Sequence, residues 1–324
     1  MAAITVTDFS DDPIWAVEKN DPMKTQFGYK RVGLPSSQRR FVAPNGRSTA
    51  RAIPLTSGSI AGWVSVQLTM VWWLGLCGVS LLNVAVWLVA ASVDLPSTHY
   101  RFWQLVLSGV YVAGCAFRSL FPRVDLERIC LWDTPLSAIF TGRFVATLAE
   151  ICFAVQCTLF LSKLSQMTGF GYAETLSVWV VPLIVVAQVS CWYAVLTLDH
   201  RGHVVEELLW TVAFAVMAAA FAGCWVYSDG FLKVIIATGI ACCAGAALLI
   251  SVVDVPMYIS RWYHNRRAEH TYLALYRGFK DTLARRHSTS SWLVWRREVP
   301  WMTLYFSVAV WLSIGMVFLE QMSR

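Results

Sequence analysis

Charge is scarce in this sequence. Asp, Glu, Lys and Arg make up 14% of the 324 residues, against about 25% in ordinary soluble proteins. That shortage excludes the pair of soluble domains that length alone would suggest. Disulfide architecture is missing too. The nine cysteines contain no CxxC pair, and eight of them fall inside apolar runs, where they read as small packing residues. No cleavable leader is evident, and the early acids Asp8, Asp11, Asp12, Glu18 and Asp21 disfavour a mitochondrial transit peptide. No internal repeat is visible. The last apolar run, "PWMTLYFSVAVWLSIGMVFLE", has no lysine for a Schiff base, and neither of the last two runs has a histidine for a metal.

What the chain has instead is grease. Hydrophobic residues make up 57% of it, and the mean hydropathy is +0.54. Seven apolar runs are long enough to cross a membrane as helices: 64–91, 102–121, 136–162, 176–198, 204–227, 231–259 and 300–319. A hydrocarbon core of about 30 Å needs roughly 20 helical residues. The runs lack the alternation of a membrane barrel, so the expected fold is all-α, a polytopic bundle of seven transmembrane helices over 59–324. Residues 1–58 read as a flexible cytoplasmic tail punctuated by Gly33, Pro35, Pro44, Gly46 and Pro54.

Basic residues set the expected orientation. Arg40, Arg47, Arg51, Arg118, Arg123, Arg128 and Arg201, with the nine Lys and Arg residues from Arg261 to Arg297, fall on one side. Arg101, Lys163, Lys233 and Arg324 fall on the other. The positive-inside rule puts the amino terminus in the cytoplasm and the carboxyl terminus outside or in a lumen. The net charge of +6 is therefore concentrated beside the membrane, which points to anionic lipid headgroups and not to nucleic acid. The basic loop 260–299 also holds an amphipathic stretch. Tyr272, Leu275, Tyr276, Phe279 and Leu283 share one helical face, as an interfacial helix requires. Several of the sixteen tryptophans, Trp295 and Trp301 among them, read as an interfacial belt.

Ionisable residues inside the runs carry the functional signal, because each costs several kcal/mol unless paired or wetted. Arg118, Arg143, His203, Glu206, Glu207 and Asp254 fall in one layer beneath the cytoplasmic surface, with Glu150 deeper. The stretch "LTLDHRGHVVEELLWT" (196–211) concentrates the question. As a solvated turn, Asp199 caps a helix and Gly202 breaks the chain. As a site, His200, His203 and Glu207 share one face and could hold a divalent metal, although no HExxH is present.

Three functions fit. The first is an enzyme acting on a lipid or amphipathic substrate, with Glu206, Glu207, Asp254 and His203 as catalytic acid/base groups. Arg118, Arg143 and Glu150 would bind its substrate. The second is an ion or solute transporter with Glu150 and Arg143 on a gated path. The third is a structural subunit whose charges only lock helices together.

Overall fold

The computed structural model describes residues 60–94, 96, 98–268 and 271–322; the tail 1–58 falls outside them. The described chain is overwhelmingly helical, with a small sheet at one end. Helix α1 spans Ile60–Ser92, about 50 Å at 1.5 Å per residue. Helix α2 (His99–Leu120) begins at Thr98, whose side chain accepts from the Arg101 N–H at 3.1 Å. Arg101 reaches back to the end of α1, its Nη2 donating to the carbonyls of Ala90 and Val93 at 3.0 Å. It thus satisfies acceptors that a helix end leaves open.

Helix α3 (Ile139–Thr168) starts after a separate 3-10 turn, Pro135–Ser137. The short α4 (Tyr172–Ser177) leads into α5 (Val180–Thr197). Only Leu198, in the left-handed conformation at φ 63°, and Asp199 separate α5 from α6 (His200–Val226). Helix α7 (Gly230–Leu249) passes through a π-helical turn, Ile250–Asp254, into α8 (Val255–Arg267). Pro256 explains the irregularity: it has no N–H to donate to the preceding turn. The helical path ends beyond the apolar run that reveals it, because its last turns carry Arg261, Arg266 and Arg267.

After α8 come α9 (Leu275–Ala284), α10 (Trp292–Trp295) and a broken final helix. The last consists of α11 (Val299–Leu304), a π-helical turn, α12 (Val310–Gly315), a 3-10 turn and α13 (Leu319–Met322). The sheet joins β1 (Arg123–Val124) antiparallel to β2 (Ile129–Cys130), and β2 parallel to β3 (His287–Ser288).

Among the described residues, six helical segments are long and apolar enough to cross a membrane: 62–92, 139–168, 172–197, 200–226, 230–267 and 299–321. Helix α2 is not among them, since Arg101, Gln104 and Arg118 dilute its apolar content. The outside of the bundle is greasy: Leu81, Val226 and Leu248 are each more than 60% exposed. Such a surface suits lipid rather than water. Inside, Phe160, Leu164, Ile184, Met217 and Ile236 form one apolar core, while Leu76, Tyr111, Trp295, Met302 and Phe306 form a second. Trp295 is wholly buried, its indole N–H donating to the Thr289 carbonyl at 2.7 Å. It is a core residue and does not belong to an interfacial belt.

Two ends can be told apart. At one, Glu320 bonds both Lys163 and Thr98 at 2.6 Å, gathering α13, the end of α3 and the start of α2. At the other, Arg123 Nη1 donates to the Ala138 carbonyl at 2.7 Å, and Arg128 ties three elements together. Arg128 donates to the carbonyls of Asp125 and Val195 and pairs with Asp281 at 3.0 Å. Gly278 of α9 lies against the Leu196 carbonyl, where an added Cβ would sit 1.9 Å from the oxygen. Helices α2 and α3 therefore run the same height. The capped end is where the ionisable groups collect.

Candidate functional site

Three helices supply the buried polar groups at the capped end. On α3, Arg143, Thr147 and Glu150 recur at helical spacing and share a face. Arg143 sits one turn into α3, since the helix begins only at Ile139. Its Nη2 donates to Glu150 Oε2 at 3.0 Å and to Gln188 Oε1 on α5 at 2.6 Å. The Gln188 amide closes the triangle by donating to the same Glu150 oxygen. Thr147 accepts from the Trp192 indole at 3.0 Å and donates to Gln188 Oε1 at 3.0 Å. These bonds tie the buried ion pair to both helices, which offsets part of the cost of burying it.

Beside it lies the opening pair of α6. His203 Nδ1 and Glu206 Oε2 are 2.6 Å apart, and the Cys191 sulfur of α5 is 4.0 Å from the same nitrogen. All three residues are buried, and their ligand atoms lie within 4.8 Å of one another. Tyr258 of α8 stacks on the His203 ring at 4.8 Å between centroids. Electrostatic interactions link Arg143 to Glu150, Cys191 and Glu206, so the two layers form one connected set.

Gly202 makes this proximity possible. An added Cβ there would lie 2.6 Å from the Ser190 carbonyl oxygen and 2.8 Å from the Ala194 Cβ. The residue does not break a turn; it lies inside α6 and lets that helix approach the α5 backbone. Asp199 does cap α6, accepting from the Arg201 N–H at 3.1 Å. The stretch around it is not a wet loop, however: Asp199, His200, His203 and Glu206 are buried, and of its ionisable residues only Arg201 is exposed.

The remaining site candidates fall around this centre. Glu207 and Asp254 are half-buried, on α6 and the π-helical turn that packs against it, and their charges interact. Asp254 lies 13 residues before the end of the helical path, deeper than the apolar run implies. Arg118 stands apart at the end of α2, its Nη1 3.8 Å from Asp125 and its Nε buried with no hydrogen-bond partner among the described residues.

Of the three sequence-read metal ligands, His203 alone enters the ligand cluster; His200 and Glu207 do not. Successive helical residues are rotated by about 100°. Glu206 therefore faces α5 while Glu207 turns towards α8. Cys191, Gln188, Thr147, Trp192 and Tyr258 are the members that composition alone passes over. A register signal for Cys191 does exist, since Cys191 lies seven residues before Leu198 and Glu206 seven residues after Asp199. A tight antiparallel hairpin brings them level.

The chain matches no known protein family, no curated protein and no solved structure.

Proposed function

We propose that the chain is a multi-pass membrane protein whose buried site performs acid/base chemistry on a lipid or amphipathic substrate from the cytoplasmic leaflet. The observation that carries this reading is the approach of half-buried Glu207 and Asp254 to the buried His203–Glu206 pair. Carboxyl groups at a dry boundary, with no side-chain hydrogen bond given to them among the described residues, are free to move protons. Glu206 and His203 complete the acid/base set. Glu150 and Arg143 already bond each other and Gln188, which suits a positioning role better than substrate capture. Arg118, whose Nε has no hydrogen-bond partner among the described residues, is the better anion holder.

Seven spans are part of the same reading. Helix α2 has 22 residues, about 33 Å at 1.5 Å per residue, and reaches between the same two ends as α3. With seven spans the capped end is cytoplasmic by its arginines. Helix α9 supports contact with anionic lipid at the 260–299 loop. It docks through Gly278 and Thr282 and leaves Leu275, Tyr276, Phe279 and Leu283 exposed beside Arg277 and Lys280.

A transporter is the second reading, and one observation bears on it. A further buried polar cluster, Gln104, Gln156, Ser108 and Ser313, lies deeper in the bundle. Each member bonds another at 2.6–3.1 Å, which suits a clamp between helices better than a path.

The test compares membrane lipid profiles of cells expressing the wild type, Glu207→Gln or Asp254→Asn. Altered amounts of a lipid class with the wild type, lost in each variant, support the enzyme. Wild-type profiles from correctly inserted variants overturn it, and solute flux in liposomes would then favour the transporter.

A further inference from the structure

We infer that Cys191, His203 and Glu206 form a binding site for a borderline divalent transition metal, of which zinc is the type. This deepens the enzymatic reading of the same site, leaving Glu207 and Asp254 as its acid/base groups and making His203 and Glu206 ligands, and it replaces two of the three ligands that spacing along α6 suggested. The donor set is one thiolate, one imidazole and one carboxylate, the mixture such ions favour over magnesium or calcium.

The geometry is close to what an ion would need. Bond lengths of about 2.3 Å to sulfur and 2.0–2.2 Å to nitrogen or oxygen give tetrahedral edges of roughly 3.5 Å. The Cys191–His203 separation of 4.0 Å must close by about half an ångström, and the His203–Glu206 separation of 2.6 Å must open by somewhat less than one. Small side-chain rotations supply both. The ligands come from two helices locked by the two-residue turn and by Gly202, so the cage is held by backbone packing.

Charge balance is a further argument. Metal binding breaks the Cys191 S–H bond and opens the His203–Glu206 contact, displaced protons leave for solvent, and metal bonds to thiolate sulfur, neutral imidazole nitrogen and carboxylate oxygen form. One thiolate and one carboxylate offset the two charges of the ion, so the occupied site carries no net charge and avoids the large desolvation cost of a buried ion. Three protein ligands leave a fourth position open, the arrangement of catalytic zinc centres. Arg143, held by Glu150 and Gln188, adds a positive charge near the thiolate and carboxylate from outside the ligand set.

The experiment uses the full chain in detergent micelles with Co2+ as the probe. One cobalt per chain, a thiolate-to-cobalt charge-transfer band, intense tetrahedral d–d bands, displacement by Zn2+ and release of protons on binding are expected. Cys191→Ser abolishes the charge-transfer band, whereas Cys152→Ser on α3 keeps it. Glu206→Gln weakens cobalt binding by more than the ~10–100-fold that loss of an outer-shell partner costs. Absence of the band in folded wild type, or a band that survives Cys191→Ser, overturns the inference. Such a failure leaves the lipid-profile test untouched, so the two readings can fall separately.

Discussion

Gly202 offers the sharpest test of how the site is built. Replacing it with alanine puts a Cβ 2.6 Å from the Ser190 oxygen and 2.8 Å from the Ala194 Cβ. Ordinary contact needs about 3.4 Å or more, so α6 must move from α5 by roughly 0.6–0.8 Å. Overpacking of this kind costs about 1–3 kcal/mol, from which the intrinsic helix gain of alanine over glycine, about 0.8–1.0 kcal/mol, is subtracted. A net loss of about 0–2 kcal/mol follows. Gly245 on α7 is the control, for nothing lies within 4 Å of its added Cβ. There only the gain remains. The two alanine variants should therefore differ by about 1–3 kcal/mol, with Gly245→Ala the more stable. Thermal unfolding in detergent, followed with a thiol-reactive fluorogenic dye, reads this directly because most of the nine cysteines are shielded in the folded bundle. The shift of α6 also carries His203 away from Cys191, so Gly202→Ala should lose cobalt absorbance even where it stays folded. Equal melting temperatures for the two variants, with unchanged cobalt binding, would refute the close-approach argument.

Two further outcomes are expected. Gly278→Ala places a Cβ 1.9 Å from the Leu196 oxygen and should detach α9. Hydrogen exchange should then rise across 272–288 while α6 keeps its protection; unchanged exchange would mean that α9 is held by other contacts. Glu298 has its carboxyl raised above the ordinary range by burial, against the opposing hydrogen bond from the Trp301 indole at 2.8 Å. Both folded and unfolded forms are protonated at low pH. Stability therefore falls as pH rises from the ordinary glutamate value, about 4.3, through the raised one. Glu298→Gln should remove that slope and the accompanying change in Trp301 fluorescence, and a slope that persists assigns it to another group.

The helices were the most legible part of the chain, since apolar runs longer than a bilayer core have few alternatives. Their ends were less so. Composition ends the sixth run at residue 259, yet backbone hydrogen bonding carries the helix to Arg267. Pro256 accounts for the π-helical turn at Ile250–Asp254, but nothing comparable marks the one at Tyr305–Ala309. The polar layer was visible as a list of ionisable residues, while its partners were not. Gln188, Thr147 and Cys191 are common in membrane helices as packing residues, and only the register of the α5–α6 hairpin singles them out. Arg128 was read simply as positive charge. Its actual work, at φ 58°, is to knit the Asp125 and Val195 carbonyls to Asp281.

The parallel pairing of Ile129 and Cys130 with His287 and Ser288 has a consequence for biosynthesis. A ribosome must deliver more than 150 further residues before the second strand of that pair meets its third. The helices between them can enter the bilayer one hairpin at a time, but Arg128 keeps no Asp281 partner until α9 emerges. Closure of the cap is thus among the last steps of maturation, and a chain truncated before α9 would leave Arg128 without its Asp281 partner.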